Sequence, residues 1–194
     1  MNDMGAAMGT WSLGLGFGLV LWTLLEYVLH RWVFHARVLG RRLAREHIEH
    51  HAAVDYFAPV VVKLAFAVPI VGGVLALSAL VVGPALGTSV PAGIVVGWLV
   101  YEVIHRRIHV AAPRNAYGRW ARRNHLLHHF GRADRNHGVT TPIWDLAFGT
   151  RAPAQPVKIP RRHATKFPWL VEERGELAIA APFVAEYRLV GAAE

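Results

Sequence analysis

Apolar positions dominate three stretches of the chain, and the polar positions collect between and after them. Met8 to Leu29 is a 22-residue run whose only charge is Glu26. About 20 apolar residues suffice to cross a bilayer core of roughly 30 Å, so this run predicts a transmembrane helix. No basic residue precedes it and nothing like a cleavage site follows, so a retained helix is expected and not a signal peptide. The second run, Ala58 to Val82, carries one charge, Lys63, and is interrupted by Pro69 and the Gly72-Gly73 pair. Lys63 lies near one end, where its ammonium can reach the headgroups, and Pro69 with the glycines predicts a kink. The uncharged stretch Gly83 to Pro91 is expected to be a loop. The third run, Ala92 to Ile104, reaches membrane length only if its helix continues through Glu102 toward His109. After Pro113 the pattern turns polar. Arg119–Phe130 predicts a helix, Pro142–Phe148 a short apolar patch, 151–162 a Pro- and Arg-rich loop, and Trp169–Leu189 one or two amphipathic helices lying on the interface.

This pattern predicts an all-α integral membrane bundle of about 3–4 transmembrane helices, with a polar helical cap, folded as a single domain over residues 1–194. Composition agrees: 54% of residues are hydrophobic, above the roughly 45–50% of soluble domains, which excludes disorder. Cysteine is absent, so disulfides, thiolate metal sites and a cysteine nucleophile are excluded, and no GxSxG element offers a serine nucleophile. The net charge is +8, yet no Lys or Arg precedes Arg31. The basic residues fill the segment after the first apolar run and the segment after the third. By the positive-inside rule, His30–Tyr56 and everything after His105 face the cytoplasm, and the N-terminus faces the opposite side. Charge placed beside membrane spans, with no interleaved aromatic platform, does not predict nucleic-acid binding.

Eleven of the 12 histidines fall between His30 and His137. They form a pair (His30, His35), a triplet (His47, His50, His51), a second pair (His105, His109) and a second triplet (His125, His128, His129). The same order thus occurs twice, offset by 75 residues from His30 to His105 and by 78 from His47 to His125. Residues three or four apart share a helix face, which suits His105 with His109, His47 with His50 or His51, and His125 with His128 or His129. Adjacent histidines diverge by roughly 100°, so one of each adjacent pair is free to serve a second ion. His30 and His35 are five apart, a poor match to one α-helical face. Either they bind different metals or the helix loosens between them. Two ions close together are the expectation. Imidazole suits Fe, Zn, Cu and Ni, and few carboxylates lie nearby for Mg or Ca. So many protonatable groups are costly to crowd together unless metal holds them neutral. His163 stands outside the pattern. His137 is open: a ligand, a proton donor, a substrate contact, or a polar group packing beside Trp144.

Three acids are candidates to orient the imidazoles from behind. Glu26 precedes His30 by four residues and Glu102 precedes His105 by three, both within apolar runs. Their alternative is simple pairing with Arg31 or Arg106. Asp145 holds a histidine or caps a helix. Trp22, Tyr27, Trp32, Phe34, Trp98 and Tyr101 either line a lateral route for a lipid or form an interfacial aromatic belt.

The histidine segments EYVLHRWVFH (26–35), EHIEHH (46–51), YEVIHRRIH (101–109) and NHLLHH (124–129), with GVTTPIWDLAFGT (138–150), resemble the integral-membrane fatty acid hydroxylase/sterol desaturase superfamily over residues 22–150. The resemblance implies an iron- and O2-dependent lipid-modifying oxidoreductase. It implies metal ligation by His30, His35, His47, His50, His51, His105, His109, His125, His128 and His129, with two Fe ions and zinc possible in purified samples. It further implies a membrane lipid substrate, most readily a fatty-acyl or sphingolipid chain, with sterol and carotenoid oxidation as alternatives. The GVTTPxWDxxFGT tail favours the hydroxylase/sterol desaturase branch. With no cytochrome b5-like domain in this chain, a separate electron donor is expected: cytochrome b5, ferredoxin or a similar carrier. His137 stands where related chains usually carry an aromatic residue. A membrane metal transporter or metal-binding protein is the non-enzymatic alternative, but ten ligands at helix ends suit permanent binding better than release.

Overall fold

The computed structural model describes residues 2–174 and 176–191. It is mostly helical: α1 (Asn2–Val28) runs into a π-helical segment (Leu29–His35), followed by α2 (Arg41–Ala52), α3 (Val60–Val110), α4 (Ala116–Phe130) and the short α5 (Ile143–Ala147). The C-terminal part alternates β1 (Val157–Pro160), α6 (Arg161–Ala164), β2 (Val171–Arg174), β3 (Glu176–Ile179), a 3-10 turn (Ala181–Phe183) and β4 (Tyr187–Val190). Two helical stretches, Met4–His35 and Val60–Val110, are long and apolar enough to cross a membrane. Contacts divide the chain into two compact units, neither contiguous in sequence. The first holds the described residues up to Glu26 with Ala58–Glu102, and the second holds Tyr27–Phe57 with the described residues from Val103 onward.

In the first unit, the long helix α3 is broken at Gly83, whose backbone (φ 80, ψ 169) lies in a region closed to side chains with a Cβ. Pro84 follows directly and suits the first turn of a new helix. A straight helix of 51 residues would be about 76 Å long, far more than one bilayer core. The break gives two runs, 60–82 and 84–110. The expected loop at 83–91 is therefore a helix from Pro84 on, and the third run reaches membrane length because it extends in both directions. Pro69 sits inside helical backbone, and the break in helical backbone falls on Gly83. Lys63 pairs with Glu102, which also accepts from Trp98 Nε1 at 3.2 Å, so the lysine is neutralised within its own unit. Trp22 and Tyr101 pack with centroids 5.9 Å apart.

Helix α1 meets the second run of α3 backbone to backbone. A Cβ at Gly18 would stand 2.2 Å from the Val90 carbonyl oxygen and 2.9 Å from Gly93 Cα. Small residues four apart on both partners create the groove, the usual device where apolar side chains gain nothing by leaving lipid.

The core of the second unit joins Val54, Leu126 and Leu127 to Val157, Ile159, Phe167, Leu170, Phe183 and Tyr187. Strands β1 and β4 pair in parallel, and β2 pairs antiparallel with β3. Trp169–Leu189, expected as amphipathic helices, is thus strand and turn. Strand β1 lies in 151–162, expected as a loop; its alternate residues are buried (Val157, Ile159) and exposed (Lys158), a period-two pattern. The segment turns its apolar residues onto α4 and forms this unit's core.

Leucine at Gly18 should destabilise the fold by roughly 1–3 kcal/mol or more through overpacking, whereas leucine at Gly16, which has open space around its Cβ position, should be neutral. Thermal unfolding of the two variants in detergent checks this; equal melting temperatures would refute the close helix contact.

Candidate metal centre

The second unit gathers ten histidines into two groups of five. His30, His35, His47, His51 and His128 form one, and His50, His105, His109, His125 and His129 form the other. Within each group every residue offers a ring nitrogen lying within 4.8 Å of the others'. All ten residues expected as ligands are brought together. The rings of His51 and His129 stack at 4.1 Å across the boundary between the groups.

Local backbone explains each placement. His30 and His35 would diverge by about 140° on an α-helix of 3.6 residues per turn. Here the segment is π-helical, with Ala36 N bonded to Arg31 O at 3.0 Å, so residues five apart lie over one another. Their rings come to 5.0 Å. Of the two options in the sequence, the structure takes the loosened helix. Helix α2 sends His47 and His51, four apart, into one group and His50 into the other. Helix α4 sends His125 and His129 into the second group and His128 into the first. Each triplet thus lends its middle histidine to the other pair's group.

Hydrogen bonds set the ring orientations. His30 Nδ1 lies 2.5 Å from the His137 carbonyl oxygen, His128 Nδ1 2.6 Å from that of Arg135, and His50 Nδ1 2.8 Å from that of Tyr56. A carbonyl only accepts, so each Nδ1 carries the proton and each Nε2 presents a lone pair inward. Those Nε2 atoms face other imidazole nitrogens: His128 lies 2.9 Å from His35 and 3.2 Å from His51, and His50 lies 3.0 Å from His105. His125 Nε2 has three such neighbours, those of His105, His109 and His129, at 3.0–3.1 Å. One proton cannot satisfy four converging nitrogens. A cation can. Nitrogens bound about 2.1 Å from one ion at right angles are about 3.0 Å apart, which is the spacing seen. His30 Nε2 is buried with no protein partner, as an inward ligand should be. The donor set therefore fits two imidazole-bound transition-metal ions.

Electrostatics agree outside the apolar helices. Burial first, and then neighbouring imidazoles, holds His47, His125, His128 and His129 well below the ordinary histidine range. The same causes push His51 down to about 3. These rings are neutral at physiological pH, the state in which imidazole binds metal.

A frame stands behind the histidines that their spacing does not announce. The carbonyls that hold His30 and His128 belong to one loop, 135–138, where Asn136 takes a left-handed backbone (φ 56). Asp145 fastens that loop by accepting from His137 N at 2.9 Å, Gly138 N at 2.8 Å and the Thr150 hydroxyl at 2.7 Å. Burial raises the Asp145 carboxyl above its usual range, with these donors opposing the shift. Tyr27, fully buried, shares a 2.9 Å hydrogen bond with Thr150. Asn124 donates to the Gly138 carbonyl, and Ala152 N to Asn136 Oδ1. Asp145 thus acts on His30 through the backbone of the loop. His137 lies outside both groups, its ring 5.4 Å from those of His30 and His128. Glu26 is buried and Glu102 pairs with Lys63 in the first unit. Arg122, one arginine among many in the sequence, is buried. It donates to the carbonyls of Arg107 (2.8 Å), Ala111 (2.7 Å) and Gly118 (2.9 Å), with its guanidinium 5.5 Å from the Trp169 ring. It satisfies the open C-terminal carbonyls of α3 and locks His109's helix to α4.

Comparison with known proteins follows the same lines. A model of the fatty acid hydroxylase family matches residues 15–150, and the chain belongs to that family. Dihydroceramide fatty acyl 2-hydroxylase FAH2 of Arabidopsis thaliana is 31% identical over 144 residues, 72% of this chain and 60% of that protein. Fatty acid 2-hydroxylase of Macaca fascicularis is 30% identical over 151 residues, 72% of this chain and 39% of that one. The ceramide very long chain fatty acid hydroxylase scs7 of Schizosaccharomyces pombe is 29% identical, covering 70% and 41%. The chain therefore spans about 40–60% of the length of these relatives. Among solved structures, that of full-length scs7p, in which only the hydroxylase domain is visible, shares the fold. Its TM-score is 0.59 at 22% identity, over 77% of this chain and 64% of that one.

Three outcomes test the centre. Alanine at His50 or at His128 should each lower metal content from about two ions per chain, measured by plasma mass spectrometry, while alanine at His163 leaves it unchanged. Alanine at Asp145 should weaken metal retention against a chelator by about 10–100-fold, since it acts on ligand orientation. Acid should destabilise the metal-free protein. An unfolded histidine titrates near 6.5, whereas the folded imidazoles resist protonation, so the unfolded chain gains protons and stability falls as pH drops below about 6.5. For His51 the loss continues down to about 3. Each such group contributes a slope of up to about 1.4 kcal/mol per pH unit. A melting temperature of chelator-treated protein that stays flat between about pH 7 and about pH 5 would contradict the buried neutral assignment.

Proposed function

We propose that this chain hydroxylates a C–H bond of a fatty-acyl or ceramide chain in a membrane, using two iron ions and O2. The single observation that carries the proposal is the pair of interlocked five-histidine groups, in a chain belonging to the fatty acid hydroxylase family. The relatives' names extend it to the carbon next to the acyl carbonyl. The reaction balances as R–H plus O2, two electrons and two protons giving R–OH and water.

Two irons would supply the activation of O2 toward an unactivated C–H bond. His30, His35, His47, His51 and His128 would hold one, and His50, His105, His109, His125 and His129 the other. The protein's own part is orientation and exclusion of water. The carbonyls of Tyr56, Arg135 and His137 keep Nε2 of three ligands aimed inward. Phe57 and Phe167 pack against His109 and screen that group with apolar surface. His137, beside the first group, is placed to contact a bound chain. Glu102 serves Lys63. Three crossings, by α1 and the two runs of α3, put the N-terminus opposite the arginine-rich segments, with the histidines on the cytoplasmic side. Electrons come from a separate carrier.

Purified, iron-loaded protein supplied with a reduced donor, ceramide and oxygen-18 gas should yield a lipid heavier by one labelled oxygen. His128→Ala should abolish this. Iron that stays bound without label entering any lipid would leave a metal-binding protein and reject the enzymatic assignment.

A further inference from the structure

The segment 140–151 carries a surface that neither the metal groups nor the core employs. Helix α5 buries Asp145 but turns Ile143 and Leu146 outward, 58% and 56% exposed, and Phe148 just after it is 46% exposed. An apolar cluster of this kind on one rigid turn marks a contact surface. It cannot relax inward, because the three hydrogen bonds to Asp145 pin the turn. Half-buried aromatic rings extend the patch: Phe148 meets Trp32 at 5.9 Å and Trp144 at 6.4 Å, and is backed by the buried Tyr27, on which it stacks at 5.2 Å.

Cations border it. Arg31 lies over Trp32 with its guanidinium 5.1 Å from the ring, and Arg151 follows the turn, exposed. Neither forms an ion pair among the described residues. Arg135 donates to the Gly149 carbonyl at 2.8 Å. The two acids at hand are spent: Asp145 is buried in its loop, and Asp134 is paired with Arg132 and Arg135. On the flank of α5, Tyr117, Trp120, Thr140, Thr141 and Arg151 line an open cleft of about 500 Å³. An apolar knob, an aromatic rim and a cleft with hydroxyls and a free guanidinium together match one kind of partner. That partner is an amphiphile with an anionic head.

The geometry points to α5 and its flanking cleft as the bilayer contact of the metal-bearing unit: Ile143, Leu146 and Phe148 enter the acyl region, and Arg151 in the cleft receives the head of an anionic phospholipid. This contact lies outside the apolar helices that cross the membrane. It goes beyond the proposed reaction and requires no turnover, so its failure is separable from a failure of the hydroxylase assignment.

The chain has no cysteine, so single labels are clean. Full-length Ile143→Cys, Leu146→Cys and, as control, Lys158→Cys are labelled with an environment-sensitive fluorophore and reconstituted in vesicles. The vesicles are phosphatidylcholine, with or without phosphatidylserine. Probes at 143 and 146 should be quenched by doxyl-labelled lipid several-fold more than the probe at 158, and less by aqueous iodide. Phosphatidylserine should deepen both, and adding Arg151→Gln should remove that increment while leaving the phosphatidylcholine result unchanged. Iodide quenching at 143 and 146 equal to that at 158 overturns the proposal. So does shielding from both quenchers, which would indicate a second protein copy on the patch. Inorganic phosphate added to neutral vesicles should change nothing. If it reproduced the serine-lipid effect, the cleft would be a site for free phosphate and the lipid-head assignment would fall.

Discussion

Ten imidazole lone pairs aimed at one another are a charge problem that the fold must solve before anything else. Where several neutral rings converge with Nε2 atoms about 3 Å apart, too few protons are present to bridge every pair, and the remaining lone pairs repel; adding protons brings charge repulsion into a buried place. A cation between them would turn the arrangement into an attraction. The protein therefore holds an arrangement that is unfavourable when empty. Metal binding and folding are then linked, as for any site whose ligands must be deprotonated and gathered. The core of Phe167, Leu170, Ile159 and their neighbours supplies the burial that holds the rings in place. Arg122 and the 135–138 loop supply the direction.

The exchange of middle histidines gives this linkage its reach. His50, from the first triplet, completes the group of the second pair, and His128 completes the group of the first. By the repeat offset of 78 residues these two occupy equivalent positions. Neither half of the pattern could complete its group of five alone. Removing a single ring from α2 therefore weakens a group made mostly by α3 and α4, and coupling between the halves is built into the ligand set. A simple tandem duplication with one ion per half would lack this.

What could be read in the sequence was what repeats. Helical spacing of three and four fixes faces, so the separation of His50 from His51, and of His128 from His129, followed from rotation per residue alone. The family is legible in the resemblance of the histidine segments and the GVTTPIWDLAFGT tail. Spacing of five has no unique face, and only the π-helical backbone of Leu29–His35 settles it. The C-terminal strands are hidden because each is only four residues long, so its pattern is too short to compete with a helical reading, and β1 finds its partner β4 far along the chain. At Gly83 and Pro84 the sequence signals a break without saying how long the break is. Here one residue suffices.

The orienting groups were hidden for a different reason. Where a ligand's second nitrogen is held by a carboxylate, a suitably spaced acid betrays it, and Glu26, Glu102 and Asp145 were sought on that ground. This protein holds His30, His50 and His128 by backbone carbonyls, which every residue possesses. Identity carries no signal there; conformation does. The side chains that matter are those that shape the loop: Asn136 in its left-handed backbone, Asp145 accepting three donors, and Thr150 joining Tyr27 to that acid. The acid thus reaches the metal group through two peptide units, not through a ring nitrogen. A carbonyl holder also carries no net charge, so the two ions would see ten neutral donors and keep their full charge toward whatever else they bind. A carboxylate behind each ring would have made the ligands more basic and the ions less electrophilic.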